Sequence, residues 1–442
     1  MRAIPHSSRV PFLLFPAAAA SAIGPIPAAH AQPAPSQPNI VLIFADDLGY
    51  GDLGCYGSPT IRTPHLDRLA REGVRFTDFY AAAPVCTPSR AALLTGRYPT
   101  RTGLTRILNP RSQDGIDADE ITLAEVLRPL GYATACIGKW HLGHQPQYLP
   151  NQHGFDYFFG LPYSNDMVPT PLMRNGEVIE EPAEQDTLTR RYTEEAVAFI
   201  QRHSERPFFL YLPHSMPHVP LHASEAFRGR SPRGLYGDVV EEIDWSTGEI
   251  LATLRELGRE QDTLVVFTSD NGPWLIKGND AGSAGHLRDG KGTVWEGGMR
   301  EPMIACWPGV IPAGRVCRQW ASTLDLFTTL LVAAGGQKPR DRIVDGRDIT
   351  PLLTGTGAMP RADAFHPFFY HRAEQLEAVR VGNWKLHVGR DLRPLEQPEL
   401  YDLAADPEEQ HDLAAAYPEE VQALQKRIRW FQLSFAPAPV RR

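Results

Sequence analysis

The amino-acid sequence predicts an α/β fold: a large, mostly parallel sheet flanked by helices, followed by a smaller C-terminal α+β subdomain. Three observations carry this. Continuous apolar runs of strand length recur at 39–45, 132–137, 207–212 and 263–268, and runs without alternation suit parallel strands covered on both faces. Helix-like segments separate them, which is the order of βαβ units. The alternation then fades after about residue 345.

The elements follow in order. Residues 1–31 read as a secretory signal peptide. Arg2 and Arg9 give a positive start, an apolar stretch runs over 10–20, and Ala29-His30-Ala31 has the small-x-small form of a cleavage site. A disordered N-terminus or an uncleaved anchor is the competing reading, but for an anchor Pro16 interrupts the stretch and it is short for a bilayer. Cleavage after Ala31 implies a periplasmic or secreted chain. A Pro/Gln/Ser linker covers 32–38, and the main domain, 39–345, opens on the first apolar run. Thr122 and Glu125 have capping-box spacing, with Gly131 at the helix end. Val239, Ile243, Ile250 and Leu254 repeat at helical spacing within 238–257, before Gly258. The C-terminal subdomain, 346–442, has strand-like pieces at 365–370 and 378–386, a turn-rich stretch at 399–407 and an amphipathic helix at 418–431.

Of the 442 residues, 42% are hydrophobic and 22% charged, as in ordinary soluble globular proteins. Losing Arg2 and Arg9 with the leader takes the formal charge from −8 to −10. No basic stripe replaces phosphate counterions, so nucleic acid is not a partner. An anionic small substrate remains compatible, because a pocket can be locally positive on an acidic protein. The five cysteines are Cys55, Cys86, Cys136, Cys306 and Cys317, and the odd count leaves at least one unpaired or otherwise employed. Cys306 and Cys317 are close enough in sequence to be a candidate disulfide.

The chemistry-bearing residues cluster at strand ends. Asp46 and Asp47 follow one apolar run; Asp270 and Asn271 follow another. Sites in open α/β sheets lie at the carboxyl ends of strands. Three carboxylates and an amide oxygen converging there would make a hard cage for Ca2+, with Mg2+ the second candidate. Either pair alone reads more simply as a turn or helix cap. Cys86 precedes Pro88 at a helix start, and Arg90 follows one turn on. An anion-binding helix N-terminus and a plain buried thiol are equally good readings of that segment. Lys139 and His141 would share a face in extended chain, suiting anion binding and proton transfer. A surface lysine and a structural histidine are the bland alternative. His218 lies between two prolines, with His214 nearby, and Lys291 lies in a glycine-rich loop over 271–300. Such long loops are more often functional than accidental, although Lys291 alone reads as a loop-tip charge.

Taken together, these residues resemble the formylglycine-dependent sulfatase family of the alkaline-phosphatase-like superfamily. The resemblance runs from about residue 38 to the end. It rests on Cys-x-Pro-x-Arg at 86–90, continuing through Ala-Ala-Leu-Leu-Thr-Gly-Arg97, and on Gly-Lys-Trp-His-Leu-Gly at 138–143. The 399–407 stretch is similar to the family's C-terminal subdomain, and 160–167 to its arylsulfatase A and N-acetylgalactosamine-6-sulfatase branch.

The resemblance implies that a formylglycine-generating enzyme oxidises Cys86 to an aldehyde that hydrates to a diol. One hydroxyl attacks sulfur and displaces the alcohol; the other then expels sulfate. Covalent catalysis of this kind divides one hard step into two. The same resemblance assigns Asp46, Asp47, Asp270, Asn271 and residue 86 to one Ca2+. It makes Asp270 the base for attack, and sets Arg90 and Lys139 around formylglycine. His141 becomes the base for release, and His218 and Lys291 hold sulfate and the leaving oxygen. The implied substrate is an aryl or carbohydrate sulfate, with the carbohydrate preferred and His144, Asn165, Arg300 and His371 as candidate contacts. Two other readings stand beside it: a phosphate mono- or diester hydrolase of the same superfamily, and a non-catalytic protein that binds sulfated glycans.

Overall fold

The computed structural model describes residues 37–356 and 366–435. The expected leader, its cleavage after Ala31, most of the linker and Phe365 lie outside the described residues.

The main sheet contains β1 (Asn39–Ala45), β2 (Val74–Tyr80), β3 (Ala133–Ile137), β4 (Tyr157–Gly160), β5 (Leu172–Arg174) and β6 (Glu177–Glu180). It continues with β7 (Phe208–Pro213), β8 (Thr263–Ser269), β9 (Arg300–Cys306), β10 (Arg315–Cys317) and β11 (Ala321–Ser322). The order is β10-β2-β9-β8-β1-β7-β3-β4-β5-β6, with β11 also on β2. The centre, β8-β1-β7-β3-β4, is parallel, whereas β9 runs antiparallel to both β2 and β8.

Both faces are covered, which is why the central strands are apolar without alternation. Ile40, Leu42 and Phe44 of β1 pack on one side with Leu93 and Leu94 of the helix Cys86–Thr95 and Phe327 of the helix Thr323–Ala333. Val41, Ile43 and Ala45 pack on the other with the helices Pro64–Glu72, Leu188–Arg202 and Leu235–Glu256. Each fully buried aliphatic or aromatic side chain contributes roughly 1.5–3 kcal/mol. The capping box at Thr122 and Glu125 forms, and the short helix Leu123–Leu127 passes through a 3-10 turn to Gly131 in the left-handed region.

The C-terminal part is a four-stranded antiparallel sheet, β12 (Phe368–Arg372), β13 (Gln375–Val381), β14 (Trp384–Arg390) and β15 (Arg393–Asp402). The helix Pro418–Leu433 covers it, stacking Phe431 on Phe369 at 3.8 Å. The stretch 378–386, expected as one strand, is instead a hairpin: Val381 pairs with Trp384 across Gly382 and Asn383, and Gly382 has φ +59°. A two-residue turn of this kind needs positive φ, which glycine supplies. The stretch 399–407 begins as the end of β15 rather than as a turn.

The candidate Cys306–Cys317 disulfide is absent, and all five cysteines are free thiols. Cys306 is on β9 and Cys317 on β10, with β2 between them. Two strand spacings separate the backbones by about 9.5 Å, beyond the roughly 7 Å a disulfide spans. Among the described residues, no helix is long and apolar enough to cross a membrane.

Candidate active site

The parallel register of β1 and β8 pairs Ala45 with Ser269. The next residues, Asp46 and Asp270, therefore leave the sheet side by side. The turn is held by Asp270 N donating to Ala45 O at 3.1 Å and Asp47 N donating to Asp270 Oδ1 at 3.1 Å. Cys86 opens its helix beside them, 1% exposed. One ligand atom each from Asp46, Cys86 and Asp270 lie within 4.8 Å of one another.

Three cations face these three aspartates. Arg90 donates through Nη2 to Asp270 Oδ2 at 2.8 Å and through Nη1 to Lys139 O at 2.8 Å. Lys139 Nζ lies 2.5 Å from Asp46 Oδ2 and 3.0 Å from Ser164 Oγ. Lys291 Nζ lies 2.8 Å from Asp47, and Asn271 Nδ2 donates to Asp47 Oδ1 at 2.7 Å. Burial would raise the Asp46 carboxyl, but Lys139 and Arg90 overcome it and hold the group far below the usual range. Burial and repulsion from Asp46 push Asp270 up to about 7, against the opposing pull of Arg90. Burial pushes the Cys86 thiol up despite Lys139 and Lys291, so it is a poor thiolate.

Lys139 and His141 do not share the face of an extended strand. His141 has φ +62°, because the chain turns out of β3 with His141 N bonded to Pro162 O. His141 Nε2 lies 2.8 Å from Leu108 O, a pure acceptor, so Nε2 carries the proton and Nδ1 keeps a lone pair. Nδ1 is buried without a partner among the described residues. Burial, then Lys139, holds the ring well below the ordinary histidine value and neutral. His218 Nε2 approaches Asp47 Oδ2 at 3.6 Å. His214 instead bonds Phe44 O through its backbone and is pushed down to about 3 by burial.

The donor set fits a hard cation. Asp46 Oδ1 and Asn271 Oδ1 are buried without hydrogen-bond partners among the described residues. Three carboxylates balance Arg90, Lys139 and Lys291, so a divalent ion would leave the cluster net positive and receptive to an anionic ester.

A family model described as Sulfatase matches residues 38–336, across all of these positions. This chain belongs to the sulfatase family. A second model, N-sulphoglucosamine sulphohydrolase, C-terminal, matches residues 286–433. The sulfatase is 43% identical to arylsulfatase A of Homo sapiens over 88% of this chain and 86% of that protein. It is 43% identical to N-acetylgalactosamine-6-sulfatase of Canis lupus familiaris over 89% of this chain and 85% of that protein. A solved structure from work on the metabolism of multiple glycosaminoglycans by Bacteroides thetaiotaomicron superposes with a TM-score of 0.82 at 31% identity. It covers 90% of this chain and 99% of its own. The fold is accordingly alkaline-phosphatase-like, and the sulfatase is a sulfuric ester hydrolase.

Two residues at this site were not singled out from the sequence. Ser164 holds Lys139; only its place in the 160–167 stretch hinted at it. Glu301 is fully buried on β9 with neither carboxyl oxygen partnered among the described residues. Burial, with Asp270 nearby, raises it well above the usual range and keeps it neutral. Arg300 and His371 belong elsewhere: Arg300 bonds Thr77 O and Asp78, and His371 packs against Tyr98 and Phe431. His144 packs on Tyr163, and Asn165 is bonded to Gln185 and Pro220 O.

Proposed function

We propose that this sulfatase cleaves carbohydrate sulfates through formylglycine made from Cys86 by a separate generating enzyme, with Ca2+ held by Asp46, Asp47, Asp270, Asn271 and residue 86. The observation that carries the reading is Cys86 itself: a buried thiol kept protonated, at a helix start, whose sulfur is within 4.8 Å of two carboxylates. A thiol is a poor member of an oxygen cage, whereas an oxygen-bearing residue 86 would complete it and supply a nucleophile.

The ion, when bound, acts as a Lewis acid toward a sulfate oxygen. The remaining work falls to side chains. Asp270, fixed by Arg90, accepts the proton of the attacking hydroxyl. Lys139 and Arg90 hold residue 86 and the sulfate against it. His218 and Lys291, both against Asp47, would stabilise the departing oxygen. The free lone pair of His141 Nδ1 takes the proton that releases sulfate and regenerates residue 86. The preference for a carbohydrate is supported by the names of the relatives, N-acetylgalactosamine-6-sulfatase and the glycosaminoglycan-metabolism structure. The leader at 1–31 supports export to the periplasm or beyond, with a mature start at Gln32.

Calcium titration tests the metal assignment by two readouts. Chelation should abolish sulfate-ester turnover, and Ca2+ should restore it. Ca2+ at 100 times Kd should also raise the unfolding free energy by about 2.7 kcal/mol, and Asp46→Ala should lose both responses. Full activity in excess chelator, with no metal by elemental analysis, contradicts the reading.

A further inference from the structure

Trp274 follows the Asp270-Asn271 pair and leads into the exposed 3-10 stretch Leu275–Asp280. Its ring centroid lies 5.5 Å from that of His218, and the Lys291 ammonium lies 4.5 Å from the same ring. His218 is buried and the Lys291 side chain is only 5% exposed, while Trp274 is partly buried next to an exposed stretch. Trp274 therefore lies between His218 and Lys291 and the exposed stretch, and on the sulfatase reading above an alcohol held as its sulfate at those two residues would meet its ring. Lys277 adds a second, independent observation. Its Nζ rests 4.1 Å from the Trp274 centroid, its side chain is exposed, and among the described residues no carboxylate pairs with it. The stretch is anchored, with Arg233 donating to Asn279 O at 3.0 Å and to Ala281 O at 2.7 Å. An exposed cation–π contact is weak, so Lys277 can exchange it for an anion.

Resting on the sulfatase reading above, we propose that Trp274 and Lys277 form the leaving-group subsite and that it takes an alcohol carrying a second anionic group, a carboxylate or another sulfate. Trp274 offers the ring of the alcohol a flat apolar wall. Lys277 pairs with the additional charge at the rim. The substrate class this selects is a polyanionic sulfate ester rather than the monosulfate of a neutral alcohol.

Two aryl sulfates test this: 4-nitrophenyl sulfate and its 3-carboxylated analogue, assayed with wild type and Lys277→Met, both with residue 86 converted. Lys277→Met should lower kcat/KM for the carboxylated ester about three- to fivefold more than for the neutral one, the range of an exposed ion pair. That difference should vanish near 1 M salt, where screening acts over about 3 Å. Trp274→Ala should raise KM for both esters. Equal effects of Lys277→Met on the two esters, at low salt, overturn the subsite. Failure of converted wild type to cleave either ester overturns the subsite as drawn, and failure on a panel of sulfated sugars as well would sink the parent reading.

Discussion

Lys385 Nζ lies 2.9 Å from Glu296 Oε1 and 2.9 Å from Glu409 Oε1, and all three residues are sealed from solvent. Lys385 is on β14, whereas Glu296 stands five residues after Lys291. One ammonium thus ties the C-terminal sheet to the segment that carries a site cation. Glu296 N also donates to Glu409 Oε2 at 2.7 Å, and Lys385 donates to Val294 O at 2.8 Å.

Replacing Lys385 with methionine should take from two buried carboxylates the ammonium they share, leaving, among the described residues, only Arg300 at 3.5 Å to pair with Glu296 and only His387 at 2.8 Å to pair with Glu409. Removing one partner of a buried pair typically costs about 3–5 kcal/mol, so urea unfolding at neutral pH should show a loss of that order. A loss below about 1 kcal/mol would mean the network is not what joins the two parts. Burial would raise Glu296, but Lys385 and Arg300 hold it down at about 2. Its folded value is below its ordinary one, 4.5, so its stabilisation is present above that value and is lost as pH falls toward 2.

Asp244 should give the opposite pH dependence. Burial pushes it up to about 7, although the amides of Leu66 and His65 oppose this. The folded chain then binds more protons than the unfolded one between the ordinary aspartate value, 3.8, and about 7. Its contribution is fully present below 3.8 and is lost as pH rises through 7. In Asp244→Asn, the fall of unfolding free energy across that window should flatten. An unchanged slope contradicts the assignment.

His141→Ala should separate the two halves of turnover. In the proposed mechanism attack depends on Asp270 and release on His141. The first equivalent of 4-nitrophenol should therefore appear near the wild-type rate, followed by a steady state slower by about 10²–10⁴, the usual contribution of a positioned base. Rapid-mixing absorbance decides it, and an equally slowed first equivalent would move His141 to the attack step.

Much of this site was legible because Asp46 and Asp270 each terminate an apolar run, and such runs become the buried parallel strands whose ends build sites. That β1 and β8 are neighbours is a tertiary fact, since more than two hundred residues separate them. Ser164 lies in irregular chain with no periodicity to mark it. Glu301 is polar in sequence, and its burial follows only from the place of β9 between β2 and β8. The hairpin at Gly382 carried its own turn signal, but apolar residues on both sides read as one strand. Cys306 and Cys317 looked close because sequence distance ignores the intervening strand.

In the proposed mechanism residue 86 works as an aldehyde-derived oxygen nucleophile and not as a thiol. Peptide mass spectrometry of the fragment containing residues 86–90, on the same preparation used for sulfate-ester turnover, tests it most directly. Specific activity should rise in proportion to the fraction of residue 86 converted to formylglycine, and Cys86→Ala should be inactive. Full activity in protein whose Cys86 is entirely unmodified would contradict it.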